Sequence, residues 1–264
     1  MEPFESTYDR IGTAYGATRC ADPRIARRIV DALGDARSVL NVGAGTGSYE
    51  PDDRWVVAVE PSFEMIRQRP ELAAPAIQAV AEALPFGDKT FDACLAVLTL
   101  HHWSDRGRGL AEMQRVSRGR AVILTWDPVS AGAFWLTAEY FPEILALDVP
   151  RFPTIEGLSR CLGSIEVLPV LIPHDCRDGF LGAYWARPEA YLDAAVRQGM
   201  SAFPQIDPTI VEAGLKRLSD DLSSGRWDGR WGYLRQLTEI DLGYRLVVAG
   251  HGPGRTYRRA GAAL

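Results

Sequence analysis

Residues 39–49, VLNVGAGTGSY, run from a short apolar segment directly into three glycines that alternate with other residues. Short, β-branched apolar runs are typical of buried strands, and glycine lets the backbone bend sharply or approach a ligand closely. In an open α/β sheet, the loop after the first strand is the usual cradle for a ligand. The stretch therefore predicts an α/β fold with a binding site at the carboxyl ends of its strands.

Further short apolar runs follow, with helical or irregular segments between them. Residues 23–33, PRIARRIVDAL, place apolar side chains on one face of a predicted helix that Asp22 can cap and Gly34 can end. The strand candidates are residues 38–42, 55–59, 76–80, 91–98, 120–125, 165–172 and 239–249. Apolar strands separated by crossovers predict a doubly wound, mostly parallel, seven-stranded sheet with both faces covered.

The chain length predicts one main domain with an accessory region. At 264 residues the chain can bury one large core, because single cores stop growing at roughly 250–300 residues. We expect a cofactor-binding core with an N-terminal lid helix at 1–128, and a pocket loop, a helix and the sixth strand at 129–174. A helical cap at 175–238 is expected to precede the last strand and tail at 239–264.

Composition and charge exclude several classes of function. The net charge is -5 and the basic residues are dispersed, so no cationic stripe is available to bind nucleic acid. No apolar run approaches the roughly 18 residues that a membrane span needs. The scattered cysteines and the absence of a secretory signal at the start favour a cytoplasmic protein. Residues 174–176, HDC, place potential metal ligands together, but no further cluster completes a site, so we expect no metal.

Three kinds of ligand-binding loop compete for residues 43–47, GAGTG. A phosphate-binding P-loop ends in lysine followed by serine or threonine, whereas this loop continues with Ser48 and Tyr49. A dinucleotide fingerprint has its third glycine at the position of Ser48, which leaves a nicotinamide enzyme as an alternative. The remaining interpretation is a tight turn whose backbone lies against a bulky ligand that need not carry phosphate. A glycine turn without any ligand is the structural alternative.

The second predicted strand adds a carboxylate. Residues 55–59, WVVAV, are followed by Glu60 and Pro61. A carboxylate at the end of the second strand of such a sheet can accept hydrogen bonds from both ribose hydroxyls of an adenosine. We therefore predict that Glu60 binds a ribose, although an acid at a strand end can also be merely solvated.

Four blocks of sequence together resemble the class I S-adenosylmethionine-dependent methyltransferases, within them the small-molecule group related to the quinone-biosynthesis enzymes. The blocks are VLNVGAGTG with Glu60, AEALPFGDKTFDACLAVLTLHHW at 81–103, LAEMQRVS at 110–117 and RAVILT at 120–125. The resemblance covers roughly residues 8–126. It implies a Rossmann-like methyltransferase fold, S-adenosylmethionine as cofactor and S-adenosylhomocysteine as its product.

The resemblance also implies a role for each residue of the cofactor site. The glycine loop would wrap the methionine part, and the acid of the second strand would bind the ribose. Ala81 and Glu82 would flank the adenine, Met65 would pack near it, and Leu98 would lie behind the sulfonium. The residues predicted to bind the cofactor are Gly43, Ala44, Gly45, Gly47, Glu60, Pro61, Met65, Ala81, Glu82, Leu98 and Arg19.

Two features near the predicted cofactor need separate comment. The family usually has aspartate where this chain has Asn41, so the amide brings no charge near the sulfonium. Related enzymes use an N-terminal helix with a tyrosine near the methyl group as a lid, and residues 8–19 offer Tyr8, Tyr15 and Arg19 for that purpose. Arg19 can pair with the cofactor's carboxylate. The alternative is an ordinary surface helix that carries aromatic and basic residues.

His101 and His102 follow the fourth predicted strand, beside the expected methyl group. With an ordinary pKa near 6.5, histidine can take a proton from a hydroxyl, an enol or an amine as the methyl transfers. Histidines recur at this position in the family with different acceptors, so either can instead shape the loop or pack against the cofactor. We choose His102 as the candidate base because its neighbour Trp103 is expected to anchor the next turn.

The aromatic side chains of the predicted cap favour a role in substrate selection. Helical stretches are predicted at 188–198 and 208–223. Many aromatics there must form the cap's own core. Phe180, Tyr184 and Trp185 follow the sixth strand most closely, so we predict that they line the acceptor pocket.

Together these features predict methyl transfer from S-adenosylmethionine to oxygen, nitrogen or carbon of a small, aromatic or apolar molecule. Because the sulfonium is already a good electrophile, the sequence does not identify the acceptor. The alternatives are an NAD(P)-dependent oxidoreductase and a cofactor-binding protein or cyclase that transfers no methyl group. The sequence makes no prediction of oligomeric state.

Overall fold

A seven-stranded sheet forms the centre of the structure, a computed structural model that describes residues 19–250. The strands of the described residues are β1 (Ser38–Val42), β2 (Trp55–Glu60), β3 (Ala76–Gln78), β4 (Phe91–Val97), β5 (Ser117–Trp126), β6 (Ile165–Pro169), β7 (Ile172–Pro173), β8 (Glu239–Ile240) and β9 (Tyr244–Ala249). The order across the main sheet is β3-β2-β1-β4-β5-β9-β6. Strands β1 to β5 are parallel, and β9 is antiparallel to both of its neighbours. The doubly wound, mostly parallel sheet predicted from the sequence is confirmed.

Helices pack on both faces of this sheet. The helices of the described residues are α1 (Pro23–Leu33), α2 (Phe63–Arg67), α3 (Arg106–Val116), α4 (Pro142–Asp148), α5 (Ile155–Leu162), α6 (Ala194–Gln198), α7 (Pro208–Ser223) and α8 (Arg226–Trp231). Alternate strand residues divide between two cores: Val39 packs with α1 on one face, and Leu40 packs with α3 and α5 on the other. Among the helices of residues 19–250, none combines the length and apolar character that crossing a bilayer requires.

Two predicted helices have the bounds that the sequence indicated, because local signals define both ends. The Asp22 side chain accepts a hydrogen bond from the Arg24 amide at the start of α1, and Gly34 ends the helix with φ of 60°. Asp207 caps α7 through the Thr209 amide. Capping residues of this type satisfy the amides that a helix leaves unpaired.

The sixth and seventh strands differ from the prediction. The predicted strand at 165–172 divides into β6 and β7, and the one at 239–249 divides into β8 and β9. Strands β7 and β8 pair with each other in a separate two-stranded sheet. The interruption falls beside Pro169, which has no amide hydrogen to donate, and at Gly243, whose φ is 91°.

Two other predicted elements are shorter or less regular. The third strand ends at Gln78, two residues early. The predicted helix at 188–198 is a 3₁₀ segment, Pro188–Leu192, followed by α6, and Asp193 between them caps α6 through the Ala195 amide. The predicted domain limits stay a prediction, and Tyr8 and Tyr15 lie outside the described residues.

Candidate functional site

A cleft opens at the carboxyl ends of β1, β2 and β4, where the strand order of the sheet reverses. Ligands of open α/β sheets bind at this switch point. The cleft encloses about 1120 Å³ out to its open mouth. Of the residues predicted to bind a cofactor, it brings together Gly43, Ala44, Gly45, Glu60, Pro61, Met65, Ala81, Glu82, Leu98 and Arg19. Gly47 does not line it, and the binding role of each residue stays a prediction.

The glycine loop bends tightly and packs closely against its neighbours. The amides of Gly43 and Ala44 both donate to the Val59 carbonyl, at 2.8 and 3.0 Å, which fastens the loop to β2. Gly43 has φ of 68°, and a Cβ atom there would lie 2.1 Å from Thr99 Oγ1. Glycine is therefore required at this position for both its backbone conformation and its size.

The Glu60 carboxylate is fixed at the edge of this loop. Its Oε2 accepts from the Gly45 amide at 2.8 Å, and its Oε1 accepts from the Ser62 amide at 2.9 Å. The residue is only 4% exposed, although it lines the cleft. The two amides hold the carboxylate in one orientation, which leaves it preorganised to accept hydrogen bonds from a ligand.

A buried ion pair beneath the loop was not predicted from the sequence. Arg69 Nη2 lies 2.7 Å from both carboxylate oxygens of Glu50, and Arg69 Nη1 donates to the Gly45 carbonyl at 3.0 Å. Asn41 Nδ2 donates to the same carboxylate at 3.1 Å. The family usually has aspartate at position 41; here the residue is Asn41, and the carboxylate beside it comes from Glu50. In the sequence, Glu50 is visible only as an acidic residue three positions after the glycine loop, and no sequence pattern indicates that it pairs with Arg69.

A second cavity of about 840 Å³ adjoins the cleft and shares Leu98 and Arg19 with it. Its aromatic lining consists of Trp126, Phe134, Phe152, Phe180, Tyr244 and His101. Of the predicted substrate residues, Phe180 lines this cavity. Tyr184 and Trp185 line neither cavity, in contrast to the prediction. The Trp185 side chain is fully buried and its indole N–H donates to the Ile172 carbonyl, so it belongs to the core.

The two histidines divide between the cavities. His102 lines the cleft, whereas His101 lines the second cavity and stacks on Phe152 with ring centroids 4.0 Å apart. Burial, with the nearby charge of Arg151, lowers the pKa of His102 to about 4. Burial also lowers the pKa of His101 well below its ordinary value. Both imidazoles are therefore neutral at physiological pH.

Arg19 lies where the two cavities meet, and its ion pair was not predicted. Its Nε lies 2.6 Å from Asp178 Oδ1, and the Tyr49 hydroxyl donates to Asp178 Oδ2 at 2.8 Å. The Asp178 side chain is fully buried. The predicted contact of Arg19 with a cofactor carboxylate stays a prediction, because the guanidinium pairs with Asp178 in this structure.

Three features of the cleft fit S-adenosylmethionine. The fixed Glu60 carboxylate matches a ribose with two hydroxyl donors. Asn41 Oδ1 is buried with no hydrogen-bond partner among residues 19–250, and it lines the cleft, where an amino group of the methionine part could donate to it. The glycine loop lines the cleft with Gly43 and Gly45, which carry no side chains, so a ligand can lie directly against the backbone there.

Comparison with known proteins agrees with these features. Residues 40–125 match a family model described as a methyltransferase domain. One similar solved structure is the crystal structure of a putative methyltransferase from an antibiotic biosynthesis pathway of Anabaena variabilis ATCC 29413. Its sequence is 36% identical to this chain, and its fold matches with a TM-score of 0.82. The match covers 88% of this chain and 99% of the Anabaena chain. The demethylmenaquinone methyltransferase of Mycobacterium sp. (strain JLS) is 31% identical over 45% of this chain and 53% of its own length. The demethylmenaquinone methyltransferase of Mycobacterium tuberculosis (strain ATCC 25618 / H37Rv) is 27% identical over 67% of this chain and 81% of its own length.

The extent of these matches decides the family. The chain spans only about half the length of the first Mycobacterium enzyme, but it covers almost all of the Anabaena protein. The family model spans the glycine loop, Glu60 and the histidines. The chain therefore belongs to the class I S-adenosylmethionine-dependent methyltransferases.

Proposed function

We propose that this protein transfers a methyl group from S-adenosylmethionine to oxygen, nitrogen or carbon of a small aromatic or apolar molecule. The observation that carries the proposal is the pair of adjoining cavities that meet at Leu98 and Arg19. One has the backbone and the carboxylate expected of a cofactor site, and the other has an aromatic lining suited to a flat apolar acceptor. Relatives named demethylmenaquinone methyltransferase support an acceptor that contains a ring.

The residues at the junction would orient the reactants and exclude water. The bound cofactor supplies an electrophilic methyl group on a sulfonium. Glu60 would hold the ribose, and Leu98 lines both cavities. Leu98 has φ of 49°, a left-handed conformation that is rare for a residue with a branched side chain and that clusters at functional sites. Holding the nucleophile and the methyl group in line in a dry site can supply much of the rate enhancement.

Incubating the purified protein with methyl-labelled cofactor tests the proposal. We expect label to reach at least one member of a panel of phenols, quinols, enols and amines, with release of S-adenosylhomocysteine. The cofactor at 100 times its Kd should raise the Tm by roughly 5–10 °C, because binding to the folded state adds about 2.7 kcal/mol. Cofactor binding without transfer to any acceptor would favour a binding protein or a cyclase. Stabilisation by NAD(P) alone would favour the oxidoreductase.

A His102→Ala variant tests the base predicted from the sequence. A group with a pKa of about 4 is a weak proton acceptor at neutral pH, so we expect alanine to lower kcat by less than about tenfold. The exposed His174 provides a matched His→Ala control outside both cavities. A fall of about 10²–10⁴ in kcat with unchanged cofactor affinity would instead support His102 as the base.

A further inference from the structure

One ionisable acid, Asp148, lies in the lining of the aromatic cavity. It is the last residue of α4, and its carboxylate accepts no hydrogen bond from any residue between 19 and 250. The cavity's other charged lining residue, Arg19, pairs with Asp178. Asp148 is thus the anionic group that this cavity offers to a bound molecule.

The surroundings of Asp148 do not favour a charge. Burial raises the pKa of its carboxyl to about 6, and the positive charge of Arg151 offsets only part of this effect. The residue also stands at the C-terminal end of a helix, where the helix dipole disfavours a negative charge. An ionisable group that costs stability and makes no internal bond is typical of a functional site.

The cavity that Asp148 lines is also lined by a residue of the last strand of the sheet. Tyr244 of β9 lines the same cavity, and burial raises the pKa of its phenol, with a further contribution from the charge of Asp148. The charge of Arg19 acts on the same phenol in the opposite direction. Tyr244 is therefore electrostatically coupled both to Asp148 and to Arg19, the residue at the junction with the cofactor cleft. Asp148 therefore lines the same cavity as Leu98 and Arg19, the two residues that this cavity shares with the cofactor cleft.

We propose that Asp148 recognises a hydroxyl group on the aromatic ring of the acceptor and takes its proton as the methyl group transfers. The inference rests on the methyl transfer proposed above. The O–H bond breaks and its proton goes to the Asp148 carboxylate. For methylation on oxygen, the electron pair left on oxygen forms the bond to the methyl carbon. For methylation on a ring carbon, that pair forms a C=O bond, the displaced ring π pair forms the bond to the methyl carbon, and the ring carbon then loses its own proton to water. The pair of the broken C–S bond stays on sulfur.

A neutral hydroxyl fits this site better than an ammonium group. The adjoining cleft would hold a sulfonium cation, which repels a second positive charge nearby. A protonated amine must also lose a proton before its nitrogen can attack. A phenolic hydroxyl approaches the sulfonium without charge and gains nucleophilic character as its proton moves to a nearby carboxylate. Because aromatic rings also bind cations, the amine is a necessary arm of the test.

The test compares Asp148→Asn with the control Glu143→Gln. Both variants remove one carboxylate from α4, but Glu143 does not line the cavity. The probes are naphthol and naphthylmethylamine, which share the same ring system, the amine being protonated at neutral pH. Calorimetry at pH 7, in the presence of a cofactor analogue that carries a protonated amine in place of the methylsulfonium, measures probe binding. Methyl-labelled cofactor measures turnover, and thermal unfolding at pH above neutrality measures stability.

We expect Asp148→Asn to keep or raise the Tm, to keep the cofactor Kd, and to lower kcat with naphthol by about 10²–10⁴, the usual contribution of a positioned base. Naphthol should bind the wild-type protein more tightly than naphthylmethylamine, and Glu143→Gln should behave like the wild type. An Asp148→Asn enzyme with turnover within twofold of wild type would overturn the inference. So would a fall in turnover that accompanies a lower Tm, because the role would then be structural.

The binding arm separates this inference from the proposed function. If no acceptor receives label, the proposed function fails, but naphthol binding still tests Asp148. Weaker binding of naphthol to Asp148→Asn than to the wild type would then support recognition of a hydroxyl group. If naphthol binds the wild-type protein and Asp148→Asn equally well, or binds neither, the inference about Asp148 is overturned. Preference of the wild-type protein for naphthylmethylamine would also overturn it.

Discussion

Replacing Glu60 by glutamine should raise the Kd for S-adenosylmethionine by about 100-fold, which corresponds to about 2.7 kcal/mol. The carboxylate is 4% exposed and accepts from the amides of Gly45 and Ser62. Glutamine keeps one acceptor oxygen, but its NH₂ group cannot accept from an amide or from a ribose hydroxyl acting as a donor. Hydrogen bonds to a charged group contribute about 1.5–3 kcal/mol each, so losing one to the ligand and one to the loop gives a large effect.

Calorimetric titration with the cofactor measures this effect, and Glu64→Gln is the matched control. Glu64 lies four residues further on, in α2, and its partners among residues 19–250 include the exposed Arg67 and the half-buried Gln68. The control changes the same charge near the same cleft, and we expect its Kd to stay within threefold of wild type. If Glu60→Gln also stays within threefold, Glu60 only supports the loop, and the ribose has another partner.

The sequence predicts well those parts of the fold that local patterns define. Helix α1 carries its own cap at Asp22 and its own stop at Gly34, and its apolar face recurs at helical spacing. The central parallel strands are mostly apolar because both faces of the sheet are covered there. The glycine loop and Glu60 could be assigned because each follows a recognisable strand, and the fold itself brings the ends of parallel strands together.

Features that depend on distant partners could not be predicted in this way. The pairing of β7 with β8 joins segments that are about seventy residues apart, and apolar patterning alone does not show where a strand changes sheets. Trp185 follows the sixth strand, as a pocket residue can, but its indole N–H finds a backbone acceptor in the core. Asp148 carries no motif, and its importance depends on the cavity that surrounds it.

The buried ion pair under the glycine loop is another such feature, and it supports the second large prediction. Replacing Arg69 by methionine should lower the free energy of unfolding by about 3–5 kcal/mol, because it leaves the Glu50 carboxylate buried without its cation. The two side chains are only 5% and 7% exposed. The Gly45 and Ala74 carbonyls also lose the guanidinium as a donor. At about 2–4 °C per kcal/mol, the Tm should fall by roughly 6–20 °C.

Urea unfolding of Arg69→Met and Arg67→Met gives the comparison, because the two arginines are two residues apart but differ in burial. Arg67 is 66% exposed and lies 3.4 Å from Glu64, so its loss should cost about 0.5 kcal/mol or less. Adding Glu50→Gln to Arg69→Met should recover part of the lost stability, since it removes the unpaired charge. Equal, small effects of the two arginine variants would mean that solvent reaches Glu50, and that the loop does not depend on the ion pair beneath it.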